Sequence, residues 1–129
     1  SLILLDIDHF KEINDIHGHL EGDKVLVELS NLLKNNINKN DEVGRWGGEE
    51  FLIICKNTTE KEASIIASRL KDAIEAYDFK IRKVTASFGV CEAQKDLTLK
   101  DILANADNAL YKAKQQGRNQ VVLAANPIK

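Results

Sequence analysis

The chain has 129 residues, 43% of them hydrophobic, which suits the core of one compact domain and leaves little room for a second. Basic and acidic residues number 18 and 20, for a formal net charge of −2, so no basic surface points to nucleic acid. With no apolar run near about 18 residues and no leader-peptide pattern, nothing in this stretch is expected to contact or cross a membrane.

Residues 2–7, LILLDI, form an apolar run ending in charge, as expected for a strand buried on both faces. Residues 10–17 carry Phe10, Ile13 and His17 on one helical stripe, stopped by Gly18. From Asp23 to Ile37, the series Leu26, Leu29, Leu33 and Ile37 predicts a second helix, followed by the Asn-rich loop NNINKND. Residues 42–46 and 50–55 read as two strands joined at Gly47-Gly48, a two-residue hairpin loop in a primed turn that needs positive φ. Thr59 and Glu62 make a capping box for a helix with Ile66, Leu70, Ile74 and Tyr77 inward. The stretch KVTASFGVCE alternates Val84, Ala86, Phe88 and Val90 on one face of a strand. Thr98 and Asp101 cap the last helix, lined by Leu99, Ile102, Leu103, Ala106, Leu110 and Ala113. Gly117 ends it, and QVVLA closes as a strand. Cys55 and Cys91 sit in apolar strand-like runs without CxxC or Cys/His spacing, and read as buried thiols in a reducing, cytosolic compartment. The order β-α-α-β-β-α-β-α-β predicts an α+β domain, one five-stranded mixed sheet with flanking helices, in the group that holds ferredoxin-like and polymerase-palm arrangements.

Acidic residues gather where strands end. A carboxylate at the exit of a buried strand is costly unless paired or bound to metal, so Asp6 is read as a metal ligand. Asp8, just before the first helix, suits a capping role. Glu49 and Glu50 follow the two glycines. Strand alternation points them to opposite faces, so one is expected to serve metal and the other substrate or a second ion. Mg²⁺ takes one or two carboxylates and completes its shell with phosphate oxygens and water. Gly47 and Gly48 permit the turn and let a ligand lie against bare backbone. Lys11 and Asn14 share a face of the first helix. Asp23, in the first turn of the next helix, fits capping and the macrodipole, or pairing with the N1–H and amino group of guanine beside Asn14. Spacing leaves that choice open. His17 is expected to pack on the apolar stripe, while His19, in the loop, could reach a ligand. Lys112, Lys114 and Arg118 suit a helix C-terminus, and Lys114 with Arg118 could equally hold a polyphosphate. A basic pair beside a carboxylate–metal site implies a nucleoside triphosphate.

LDIDHFKEIND, GHLEGDKVL, GRWGGEEFLII, TASFGV and ADNALYKAKQQGRN, in this order, resemble the GGDEF-domain diguanylate cyclases over almost the whole chain, with GGEEF as the signature variant. The resemblance implies one GGDEF domain over residues 1–129, its usual N-terminal helix and DxLTGLxNRR-like segment missing from a piece of a larger bacterial signalling protein with an upstream sensor domain. It implies condensation of two GTP molecules into cyclic di-GMP with release of pyrophosphate, each domain of a face-to-face pair holding one GTP. Asp6, the backbone carbonyl of Ile7, Glu49 and Glu50 then resemble ligands of Mg²⁺, with Mn²⁺ as the alternative ion. Glu49 resembles the general base, and Lys11 the stabiliser of the pentacovalent phosphate. Phe10, Asn14, His19, Asp23, Gly47 and Gly48 would surround the nucleotide, Asn14 and Asp23 reading guanine, and Lys114 with Arg118 would clamp the triphosphate. Many relatives carry an inhibitory RxxD motif; here residues 38–41 read NKND, with Asn38 in place of the arginine, so tight product feedback through this site is not expected. A GTP-sensing module without turnover is the alternative reading, but such relatives usually lose signature acids that this chain keeps. A cyclic di-GMP receptor would need the missing arginine, and another palm-like cyclase or polymerase a different base-reading set.

Overall fold

A computed structural model describes residues 1–124. The elements are β1 (Leu2–Ile7), α1 (Phe10–His17), α2 (His19–Asn36), β2 (Glu42–Arg45), β3 (Glu50–Ile54), α3 (Glu60–Ala76), β4 (Ala86–Cys91), α4 (Leu99–Gln115) and β5 (Val121–Leu123). The expected order holds throughout. The sheet is mixed, in the order β2-β3-β1-β4-β5. β1 lies antiparallel to both β3 and β4, and β5 is parallel to β4 after the α4 crossover.

Alternation along β1 splits the core in two. Ile3, Leu5 and Ile7 face α2 and α3, where they pack with Leu29, Leu33, Phe51, Leu70, Ile74 and Phe88. Leu2 and Leu4 face α4 and pack with Ile102, Ala106 and Leu110. Every residue of β1 and β4 is buried, and full burial of each Leu, Ile, Val or Phe among them contributes roughly 1.5–3 kcal/mol. Asp6, two residues beyond Leu4, therefore falls on the α4 side. Both capping boxes form: Thr59 with Glu62, and Thr98 with Asp101. Both cysteines are free and buried.

The chain departs from expectation at several places. α2 begins at His19 rather than Asp23, because Gly22 does not break the helix but sits inside it. Asp23 is thus a full turn in, out of reach of any cap, and His19 is the first helical residue rather than a loop residue. Asp8 does not cap α1: His9 is the N-cap, in a left-handed conformation and with no side-chain cap. The hairpin is not a primed turn. Neither Gly47 nor Gly48 has left-handed φ, and the reversal falls one residue later, at Gly48 and Glu49, between Gly47 and Glu50, which bond each other through N–H and O in both directions at 3.4 Å. β4 is buried on both faces, not on one, since helices cover each side. Tyr77 is the exposed C-cap of α3, and Leu99, at the start of α4, is also exposed.

Candidate active site

The site is built at the end of β1. Register sets Asp6 opposite Glu50 on β3 and Ser87 on β4, and directly opposed residues of antiparallel strands share a face. The face is that of α4, and Lys114, near the end of that helix, pairs with Asp6 Oδ2. Asp6 is 5% exposed, and its other oxygen, Oδ1, is buried with no partner. An unsatisfied carboxylate oxygen in such a place costs free energy and marks a missing cation or donor.

Glu49 lies in the turn, just before β3, and Glu50 is the first residue of that strand. Glu49 is therefore free of the strict alternation expected of two strand residues. Both carboxyls are half-buried, and burial followed by the nearby Asp6 charge pushes each above the ordinary glutamate range. Asp107 of α4 and Glu49 add to the effect on Glu50. Asp6 is raised too, chiefly by burial, with Lys114 opposing. The Asp6 charge thus raises both glutamates, and Asp8 adds to the rise at Asp6 itself. Among the described residues no three His, Cys, Asp or Glu side chains close into a ready-made metal cage. Mg²⁺ does not ask for one, since phosphate oxygens and water fill most of its shell. The donor set, one orphaned buried oxygen beside two crowded carboxyls, fits a hard divalent cation.

Neither glycine of the turn is demanded by contacts within the chain. A Cβ added at Gly48 would meet nothing within 4 Å, and at Gly47 only Glu50 Oε1 at 3.7 Å. With no left-handed φ and no internal clash, the chain itself does not require glycine at either position. A ligand resting on the bare turn would. Arg45 braces this turn by donating to Gly48 O.

A second group forms between α1 and α2. Asn14 Oδ1 is buried and unpartnered. It rests where a Cβ of Gly22 would be, 1.8 Å away, with Phe10 Cζ at 3.4 Å. Gly22 went unnoticed in the sequence because a helix glycine reads as a weak point; the signal was its retention inside an otherwise continuous apolar repeat. Asp23 is exposed and borders a depression of about 530 Å³ shared with Leu26, Val27, Ser30, Asn31, Lys34 and Arg45. Its capping explanation is gone, so its charge is available to a ligand.

Not every expected residue converges. Lys11 and His19 are exposed, and Lys11 enters none of the ion pairs among the described residues. His17 is half-buried on α1, as expected. Arg118 is exposed in a left-handed turn and is not paired with Asp6, whereas Lys114 is. Ile7 N–H reaches Glu49 O at 3.4 Å, tying the β1 end to the turn. Asp41 of the NKND segment is buried, and its carboxyl and the Cys55 thiol interact, so it is turned inward.

A mixed sheet with helices on both faces, carrying acids at the end of its central strand and a glycine turn beside them, defines an α+β palm-type domain of the nucleotide-cyclase kind. The chain belongs to the diguanylate cyclase GGDEF domain family, whose family model matches residues 1–120. It is 42% identical over 133 residues to diguanylate cyclase A of Treponema denticola, covering 99% of this chain and 36% of that protein. It is 37% identical over 125 residues to diguanylate cyclase DgcM of Escherichia coli, covering 96% of this chain and 30% of that one. The chain thus spans about a third of the length of these relatives. Among solved structures, the active GGEEF domain of a diguanylate cyclase from Vibrio cholerae matches with a TM-score of 0.90 at 36% identity, over 98% of this chain and 83% of that one. The GGDEF domain of DgcB from Caulobacter crescentus, solved with cyclic di-GMP, matches with a TM-score of 0.89 at 28% identity, over 95% and 76%. Diguanylate cyclases of this family are generally dependent on a divalent metal. No helix among the described residues is long and apolar enough to cross a membrane.

Proposed function

We propose that this chain is an active diguanylate cyclase domain that joins two GTP molecules into cyclic di-GMP, two copies meeting face to face with one GTP in each. The observation that carries the reading is the unpartnered, buried Oδ1 of Asp6 beside Glu49 and Glu50, with both glycines and both acids of the signature retained.

Asp6, the Ile7 carbonyl, Glu49 and Glu50 would hold Mg²⁺ or Mn²⁺, which supplies Lewis-acid neutralisation of phosphate charge. The chain's own residues do the rest. In each half-reaction, a 3′-oxygen of one GTP forms a bond to the α-phosphorus of the other. The bond from that phosphorus to the bridging oxygen breaks, and pyrophosphate leaves with its electron pair. Glu49 takes the hydroxyl proton; its raised pKa makes it a better base than an ordinary glutamate. Lys11 neutralises charge at the pentacovalent phosphorus, and Lys114 and Arg118 hold the triphosphate, Arg118 through its planar fork. Lys114 pairs with Asp6, so binding of nucleotide and metal would exchange this ion pair for contacts with them. Asn14 and Asp23 read guanine, because adenine would leave the buried Asn14 amide and the Asp23 carboxylate unpaired. Phe10, whose Cζ lies beside the same Gly22 notch as Asn14, and His19, exposed at the start of α2, would border the nucleotide, and Gly47 and Gly48 would admit the phosphates. GTP supply places the reaction in the cytoplasm, under control of an upstream sensor domain.

The deciding experiment is initial rate against protein concentration with GTP and Mg²⁺. One site holds half of the reaction, so the rate should rise with the square of concentration until dimers saturate. Binding of GTP without cyclic di-GMP at any concentration would identify a GTP-sensing module instead.

A further inference from the structure

Asp8 is a second buried carboxylate at this end of the sheet, 6% exposed, and the chemistry above gives it no task. It does not cap α1, and it accepts three hydrogen bonds from distant parts of the chain. Oδ1 takes the Ser87 hydroxyl at 2.6 Å, and Oδ2 takes the Thr85 hydroxyl at 2.7 Å and the Asn119 backbone N–H at 3.0 Å. The first two are donors from the start of β4. The third belongs to the turn that follows α4.

That turn is conformationally expensive. Gly117, Arg118 and Asn119 take φ values of 118°, 64° and 48°, three left-handed residues in succession, of which Arg118 carries a side chain that disfavours this region, while glycine and asparagine tolerate it. Such a conformation persists only where its surroundings fix it. Arg118 N–H bonds Ala113 O at 2.9 Å, and the Asn119 side chain donates to Glu75 at 3.1 Å. Asp8 is the buried charge in this set, and hydrogen bonds to a charge are the strong ones.

We propose that Asp8 is a positioning residue for nucleotide binding. Its carboxylate, seated on the Thr85 and Ser87 hydroxyls, pins the Asn119 amide and so fixes where Arg118 presents its guanidinium to a polyphosphate. Asp8 itself touches no nucleotide. This inference rests on the triphosphate-clamp reading of Arg118. An amide is a weaker substitute: its oxygen can still take the Thr85 hydroxyl and the Asn119 N–H, but Ser87 must turn its hydroxyl to accept, and the charge that strengthens all three bonds is gone.

The test uses the full chain and 3′-deoxyguanosine triphosphate with Mg²⁺, which lacks the attacking hydroxyl and reports binding without turnover. Asp8→Asn should weaken binding about tenfold, as expected for loss of one charge-assisted hydrogen bond. Arg118→Ala should do likewise, and the double variant should bind within about twofold of Arg118→Ala alone, since Asp8 acts through Arg118. Ser87→Ala, which removes a support of Asp8 but keeps the Asn119 contact, should lower the melting temperature and leave binding within about twofold. In the unaltered chain, the Asn119 amide should be protected from hydrogen exchange. That measurement decides the contact even where Asp8→Asn does not fold. Full additivity in the double variant, binding losses that merely track melting temperature, or a freely exchanging Asn119 amide each overturn the proposal. Failure of the unaltered chain to convert GTP, with these binding outcomes intact, would refute the cyclase reading and leave Asp8 in place. No binding of the analogue by the unaltered chain would sink both.

Discussion

Alanine at position 22 should make this protein more stable and less able to bind guanine. Gly22 is a buried residue inside α2 with ordinary helical φ, so alanine there gains helix propensity of up to ~1 kcal/mol. For a domain of this size that is roughly a 4 °C rise in melting temperature. The new Cβ would sit 1.8 Å from Asn14 Oδ1 and 3.0 Å from its Cγ, and those are its two nearest contacts. Both belong to one flexible side chain, so the clash is relieved by swinging the Asn14 amide away rather than by moving backbone. Loss of the Asn14 contact to the base should then weaken GTP by about tenfold to a hundredfold, for one or two buried hydrogen bonds of roughly 1–3 kcal/mol. The assay is a pair of measurements on the same sample: calorimetric melting, and KM for GTP with ATP as competitor. Stability should hold or rise while KM rises and discrimination against ATP falls. An unchanged KM with unchanged discrimination would refute the link from Gly22 through Asn14 to the base.

Glu49→Gln should still bind GTP and lose at least a hundredfold in kcat, measured as cyclic di-GMP per dimer, if Glu49 takes the proton. Asp6, Glu49 and Glu50 all have pKa values raised on folding, so the folded state binds more protons than the unfolded one across the window just above the ordinary carboxylate range. Metal-free stability should therefore fall as pH rises through that window, and added Mg²⁺ should raise the melting temperature more at pH 7 than at pH 4.5. A pH-independent Mg²⁺ shift would contradict this. The Cys55 thiol, pushed up to about 12 by burial and by Asp41, and the buried Cys91 thiol should react with a thiol reagent only at the rate of unfolding. Calorimetric titration with cyclic di-GMP should show no submicromolar site dependent on Asp41, whose carboxyl is turned inward; such a site, abolished by Asp41→Ala, would overturn the reading.

What could be read from the sequence was whatever is encoded by neighbours along the chain. Apolar repeats and two capping boxes predict the nine elements found among the described residues, in order, since each depends on residues within a few positions. The start of α2 was lost because glycine lowers helix propensity locally, while the contact that calls for Gly22, with Asn14, lies on another helix. The hairpin was misjudged because Gly-Gly suggests a primed turn, whereas here the glycines leave room outside the chain rather than satisfy backbone geometry. Asp8 reads as a cap from its neighbours because its real donors, Thr85, Ser87 and Asn119, are remote in sequence. The pairing of Asp6 with Lys114 is hidden for the same reason, although each residue by itself suggests opposite charge chemistry.

The central position of β1 has a consequence for how the domain comes into being. This strand precedes both of its neighbours in the chain, yet its partners are Phe51 and the rest of β3 on one side and Phe88 and the rest of β4 on the other. Until those segments arrive, LILL is a bare apolar ribbon with unpaired edges, the kind of segment that seeks other chains. Closing such distant contacts is slow, so the register that sets Glu50 and Ser87 opposite Asp6 exists only once both later strands have docked.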